Sequence, residues 1–351
     1  MKRIVTVIGA RPQFIKHAPV QRELKKHFSE ITIHTGQHYD DNMSDIFFRE
    51  MNIKKPEFNL EVGSSSHAIQ TGMMMERLEP LFRETKPDMV VIYGDTNSTV
   101  AASLTAAKMH IPVSHIEAGL RSFNMRMPEE INRIVADRLS NMLFAPTAEA
   151  MKNLKRENLK GILTGDVMLD AFMHFSKKAD NMDISDMLWG LKMNEYIYMT
   201  IHREDNTIPE NLKVLLNNIF RINLPIVFPV HPRTLKILNK LYKIKHGRMK
   251  NIYFIEPQGY IKNIALLKGA KVVITDSGGL QKEAYFAKKN TITLREETEW
   301  TETVDSGYNI LCPCAENIDK LIYGKRKTVY KNYYGKGNAS RIITDKIKEI
   351  L

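Results

Sequence analysis

Lys271-Val-Val-Ile-Thr275-Asp276-Ser277-Gly278-Gly279-Leu280-Gln281-Lys282-Glu283-Ala284 is the stretch that decides how this chain is built. Its apolar run, residues 271–275, has the length and β-branched content of a buried strand. The run ends in a Ser-Gly-Gly turn, and a helix opens near Leu280. Two glycines there admit positive φ and close backbone approach without a Cβ clash. The free N–H groups at the helix start, with the positive end of its dipole, favour a phosphate. Glu283 sits about one turn into that helix, within reach of ribose hydroxyls. An ordinary βα turn uses the same residue types, so the rest of the chain has to decide.

The same strand–turn–helix pattern recurs on both sides of this segment. Strands are predicted over residues 3–8, 31–35, 89–93, 113–116 and 143–145 in the first half, with amphipathic helices over 14–27 and 97–109. Pro128, with two acids behind it, starts another helix. A less patterned Met- and Asp-rich stretch, residues 176–194, separates the halves. Strands resume over 196–201, 225–230, 252–255, 271–275 and 291–294. About five strands per half predict an α/β chain with one doubly wound parallel sheet in each of two domains. Ligands bind outside the carboxyl ends of such strands. Two such faces turned toward each other would make a central cleft.

Composition excludes several classes. No run approaches the roughly 18–20 apolar residues of a membrane span. The N-terminal apolar stretch is too short for a signal peptide and runs into Arg11 and Lys16. Cys312 and Cys314 flank one proline, which suits neither a disulfide framework nor a closed zinc site, and a reducing cytoplasm fits. The net charge of +11 gathers in two lysine-rich stretches, residues 236–250 and 325–336. No nucleic-acid motif accompanies them, so neither nucleic acid nor membrane is expected as a partner.

The polar motifs all follow predicted strands. Gly9-Ala-Arg-Pro-Gln13 stands where a dinucleotide fingerprint would lie, but Pro12 replaces a flexible glycine, and Arg11 and Lys16 bring positive charge instead. Asp95, Glu117, Glu129 and Glu130 are candidate acid–base carboxylates for moving a carbon-bound proton. Asp95 is also placed to cap the helix after it, and Glu129 and Glu130 to pair with Arg133. His202, Arg203, His231 and Arg233 offer donors for phosphate oxygens, without metal-ligand spacing.

Together these motifs resemble the non-hydrolysing UDP-N-acetylglucosamine 2-epimerase family. The residues that carry the resemblance are Gly9-Ala-Arg-Pro-Gln-Phe-Ile-Lys16, Thr35-Gly-Gln-His38, Gly94-Asp-Thr-Asn97, His115-Ile-Glu-Ala-Gly-Leu-Arg121 and Met127-Pro-Glu-Glu-Ile-Asn-Arg133. Gly165-Asp166, His202-Arg203-Glu204, Ser277-Gly-Gly279 and Thr298-Glu299 follow. The resemblance implies a GT-B-like fold of two Rossmann-like domains facing a central cleft, residues 1–170 and 171–337, with the last helix, about 338–351, returning to the first domain. It implies proton removal at C2 with loss of UDP from C1, then re-addition with a proton from the other face. Asp95, Glu117, Glu129 and His202 fall on its catalytic positions. Arg11, Lys16, Gln37, His38, Arg121, Arg133, Arg203, His231, Ser277, Gly278, Gly279, Glu283 and Arg295 fall on its UDP- and substrate-binding positions. No metal or cofactor is implied, and a homodimer is expected.

Within the family, residues 122–127, His231-Pro-Arg-Thr234, Gln281-Lys-Glu-Ala284 and Glu297-Thr-Glu-Trp300 resemble a subgroup acting on UDP-2,3-diacetamido-2,3-dideoxyglucuronate. Its carboxylate and second acetamido group call for a cation and an aromatic wall, for which Arg121, Arg126 and Trp300 are the expected sources. UDP-GlcNAc is the alternative substrate, and a UDP-sugar glycosyltransferase the alternative activity on this fold. Asp40 and Asp41 stand where substrate-regulated members carry glutamine and arginine, which argues against substrate-driven allostery.

Overall fold

The computed structural model describes residues 1–37, 50–244 and 247–351. The chain forms two compact units, Met1–Met173 with Asn332–Leu351, and His174–Lys331. These breaks differ from 170/171 and 337/338 for local reasons. The helix Val167–Ala179 runs on past residue 170, and Asp166 N–H donates to the Tyr334 carbonyl (2.9 Å), which ties residues 332–337 to the first unit.

The first unit is a sheet of β1 (Arg3–Ile8), β2 (Ser29–His34), β3 (Phe58–Asn59), β4 (Met89–Tyr93), β5 (Val113–Ile116), β6 (Met142–Ala145) and β7 (Gly161–Leu163). Its strand order is β3-β2-β1-β4-β5-β6-β7 with all pairs parallel. Val5, Val7, Val90 and Ile92 leave the sheet toward Met74, Leu78 and Phe82 of the helix His67–Thr85. All are buried, each contributing about 1.5–3 kcal/mol of transfer free energy. The last helix, Ala339–Lys348, packs on the helix Arg11–Leu24 and buries Ile343 and Ile347. Asp170 caps it, accepting from Ala339 N–H (3.1 Å), Ser340 N–H (2.8 Å) and the Ser340 hydroxyl (2.6 Å).

The second unit repeats the architecture with β8 (Ile197–Thr200), β9 (Ile226–Pro229), β10 (Gly247–Met249), β11 (Ile252–Ile255), β12 (Val272–Thr275), β13 (Asn290–Thr293) and β14 (Asn309–Leu311). Their order is β10-β11-β9-β8-β12-β13-β14. Two expectations are corrected here. Each sheet has seven strands among the described residues rather than five, and the second is not wholly parallel, because β10 pairs antiparallel with β11. The added strands β3, β7, β10 and β14 have two or three residues each, too short for an apolar alternation to show. Among the described residues no helix is long and apolar enough to cross a membrane.

The order reverses between β1 and β4 in the first sheet and between β8 and β12 in the second. Doubly wound sheets form their binding crevices at such switch points, beyond the carboxyl ends of the strands.

Candidate active site

At the first switch point, Gln13 joins the turns after β1 and β4. Its Oε1 accepts from Gly9 N–H (2.7 Å) and Ala10 N–H (3.0 Å), and its amide donates to the Tyr93 carbonyl (2.9 Å). Those two N–H groups are therefore taken, and this turn is no pyrophosphate cradle. Gly94 has φ +61°, and a Cβ there would stand 3.1 Å from Glu117 Oε2 and 3.4 Å from Lys16 Nζ, so the turn needs a glycine. Asp95 follows it and pairs with buried Arg133, whose Nη1 also meets Glu130 Oε2 at 2.9 Å. Thr96, not Asp95, caps the helix Asn97–Lys108, accepting from Thr99 N–H (3.3 Å).

Glu117 follows β5 and pairs with Lys16, both side chains almost buried. Its φ of +73° is left-handed, at a cost of roughly 1–3 kcal/mol. Glu117 and Ala118 N–H groups both donate to the Phe144 carbonyl (3.1 and 3.0 Å), which holds the turn in that conformation. Glu129 and Glu130 part company on the helix Pro128–Leu139. Buried Glu130 accepts from Ser122 N–H (2.8 Å) and Phe123 N–H (3.0 Å) and so holds the loop after β5. Glu129 is half-buried, and its side chain makes no hydrogen bond or ion pair among the described residues. Gln37 reaches the same rim from β2, its Oε1 accepting from the Ser98 hydroxyl (2.7 Å). Arg11, at the start of the helix Arg11–Leu24, is half-buried, whereas His38, Asp40 and Asp41 lie outside the described residues.

At the second switch point the organiser is Asp276, wholly buried at the end of β12. Its Oδ2 accepts from His202 N–H and Arg203 N–H (both 2.9 Å) and from the Asn206 amide (3.2 Å). Its Oδ1 lies 3.2 Å from Nδ1 of His202, whose side chain is 43% exposed. The His231 ring stands 6.3 Å from that of His202, and its Nδ1 accepts from Arg233 N–H (3.3 Å) at the start of the helix Pro232–Tyr242. Ser277 caps the helix Gly278–Phe286 through Leu280 N–H (3.4 Å). Among the described residues the N–H groups of Gly278 and Gly279 have no acceptor, and both glycines are half-exposed. Glu283 is buried on the same helix, and buried Arg295 lies 3.0 Å from Glu299 Oε2.

A family model described as UDP-N-acetylglucosamine 2-epimerase matches residues 22–348. The chain belongs to that family. It is an isomerase. A protein of Methanococcus maripaludis named as a UDP-N-acetylglucosamine 2-epimerase homolog is 47% identical over 99% of this chain and 100% of its own length. The UDP-2,3-diacetamido-2,3-dideoxy-D-glucuronate 2-epimerase of Pseudomonas aeruginosa is 41% identical over 99% and 100%. The UDP-GlcNAc 2-epimerase of Methanocaldococcus jannaschii, solved in complex with UDP-GlcNAc and UDP, superposes with a TM-score of 0.92 at 39% identity, covering 99% of this chain and 100% of that one.

Two expectations for this epimerase are redirected. Arg121 is no open substrate contact: its guanidinium is buried, with Nη1 2.7 Å from Asp137 Oδ2 and Nε and Nη2 donating to the Glu157 carboxylate (2.6 and 2.8 Å). Burial alone would lower its pKa, but the Glu157 and Asp137 contacts raise it above the ordinary value. Trp300 is no open wall either, being 3% exposed with Lys282 Nζ 3.8 Å from its ring centroid. Sequence reading passed over Gln13 and Asp276 as holders of the site, while the pairing of Glu130 with Arg133 was expected. Asp276 stood in the opening segment and could have been found there, as a carboxylate in an otherwise apolar strand end.

Proposed function

We propose that this isomerase inverts C2 of a UDP-linked 2-acetamido sugar by eliminating UDP and adding it back. The observation that carries the reading is that Asp95 and Glu117 follow β4 and β5, each beside a cation, with Glu129 in the first turn of the helix that begins at Pro128. In this reading one carboxylate takes the C2 proton while the C1–O bond breaks. Its electron pair leaves on the UDP β-phosphate, and a C1=C2 double bond forms. Re-addition of UDP at C1 then accompanies protonation of C2 from the opposite face, so atoms and charge balance. The open N–H groups of Gly278 and Gly279 grip the diphosphate, with His202 and Arg203 as further donors. Arg133 and Lys16 pair with Asp95 and Glu117 and hold their carboxylates in place.

The test is turnover in D₂O, read by NMR. Deuterium at C2 of the product is expected. Product that keeps its original C2 hydrogen would overturn elimination–addition.

Within this class the narrower reading is the diacetamido-glucuronate sugar, as in the Pseudomonas aeruginosa relative. With Arg121 committed to acids, it rests on Arg126, exposed in the loop that Glu130 holds. An arginine on the sugar carboxylate contributes about 1.5–3 kcal/mol, roughly ten- to a hundredfold in affinity. At least about tenfold higher kcat/KM for that sugar than for UDP-GlcNAc is expected. Equal or better use of UDP-GlcNAc would overturn the narrower reading alone.

A further inference from the structure

His115 of β5 is completely buried, two residues before Glu117, and both ring nitrogens are engaged. Nε2 lies 2.7 Å from the Gly94 carbonyl oxygen and Nδ1 2.7 Å from Asp137 Oδ1. A carbonyl has no proton to offer, so Nε2 must donate. Asp137 accepts from Gly119 N–H (3.1 Å) and lies 2.7 Å from Arg121 Nη1, both through Oδ2. Held by these donors it is a carboxylate, which also only accepts, so Nδ1 must donate as well. A ring that donates from both nitrogens is an imidazolium.

The charge count agrees. Arg121 and Asp137 are buried, and Glu157 is joined to Arg121 by two hydrogen bonds. With a cationic His115, two positive groups balance two negative ones. A neutral ring would leave the cluster one negative charge in surplus, at its Glu157 edge, where the side chain is a quarter exposed. Burial by itself would raise the Asp137 pKa, yet His115 and Arg121 together hold it below the ordinary carboxylate value.

The carbonyl that His115 grips belongs to the peptide joining Gly94 to Asp95. On the far side of Asp95, the Asn132 amide donates to the Asp95 carbonyl (2.9 Å). The catalytic candidate is thus fastened at both of its peptide groups. We propose that His115 is a positioning residue that donates from both ring nitrogens, an imidazolium that fixes the Gly94–Asp95 peptide and thereby aims the Asp95 carboxylate. The catalytic half of this statement rests on the role given to Asp95 above; the charge state does not.

Histidine ring ¹⁵N NMR at pH 8.5, with the His115 signals identified by their loss in His115→Gln, reads the charge directly. Both nitrogens are expected to carry protons there. In Asp137→Asn the ring should become neutral at the same pH. A neutral ring in the unaltered protein at pH 8.5 overturns the proposal, whatever Asp95 does. For positioning, His115→Gln should lower kcat by tenfold or more, as misplacement of a reacting group does, with UDP affinity within about threefold. If His115→Gln fails to fold, Asp137→Asn takes its place, its neutral ring accompanied by the same fall in kcat. Unchanged kcat in whichever variant folds overturns the positioning role.

Discussion

Glu129 and Glu130 are adjacent and chemically alike, yet only one is committed to the fold. Glu130 secures the loop after β5 and Arg133, while the half-buried Glu129 side chain has no partner among the described residues. Sequence could place both acids on a helix start but could not say which side chain turned inward, because that depends on Ser122 and Phe123 meeting Glu130 in space. The same limit governs Arg121. The resemblance put it among the substrate-binding positions, whereas Asp137 and Glu157, 16 and 36 residues further on, engage its guanidinium. Asp95→Asn, Glu117→Gln and Glu129→Gln should each lower turnover by about a hundredfold or more while UDP binding, by calorimetry, stays. Near-normal turnover in all three would remove the acid–base assignment. Arg121→Ala should behave as a broken buried pair, losing about 3–5 kcal/mol of stability in denaturant melts. Arg126→Ala should instead leave stability alone and narrow the preference between the two candidate sugars. The opposite pattern would restore Arg121 as the specificity residue.

Elements were legible wherever their pattern was long. β1, β4, β5 and β11 fall on the residues expected, since continuous apolar runs bounded by turn residues leave few alternatives. The two- and three-residue edge strands were not legible, because pairing with a neighbour, rather than any run of their own, defines them. The helix Gly278–Phe286 begins two residues earlier than Leu280, which brings both glycines into its first turn. A Cβ on Gly278 would stand 2.6 Å from Glu299 Oε1, so this glycine answers to the protein as well as to any phosphate. Gly278→Val should therefore weaken UDP binding by tenfold or more and also disturb the Arg295–Glu299 pair. Adding Glu299→Ala relieves the collision, and affinity that stays low in the double variant marks the turn as ligand-facing. Full UDP affinity in Gly278→Val itself would make the turn merely structural.

Across the whole molecule, α/β architecture in two halves was readable from the alternation of strands and helices, but the long-range polar joints were not. One such joint sets a pH dependence. Burial, helped by the charge of Lys25 and opposed by Glu57, lowers the His17 pKa from the ordinary 6.5 to about 3. His17 is held by Tyr93 (3.1 Å), Thr32 (3.3 Å) and Gln21 (3.0 Å), and its 3.5 Å approach to Glu30 is not an ion pair at neutral pH because the ring is uncharged. The folded pKa lies below the unfolded one, so acidification protonates the unfolded chain first. Stability is therefore complete above about pH 6.5 and falls toward pH 3, by up to about 1.4 kcal/mol per pH unit. Glu30, whose pKa burial raises, protonates early in the folded state and offsets part of that fall. Urea melts from pH 7.5 to 4.5 should show the slope, and His17→Gln should flatten it. An equal slope in the variant would assign the acid sensitivity elsewhere.

The helix Ala339–Lys348, seated on Arg11–Leu24, closes the first unit with residues that lie beyond the whole of the second. During synthesis, the ribosome delivers every strand of the first sheet early but withholds this helix until His174–Lys331 has emerged. The second unit is contiguous and can fold as it appears. The first must wait for its last helix, so the seat for Ile343 and Ile347 on Arg11–Leu24 stays open until the second unit has been made.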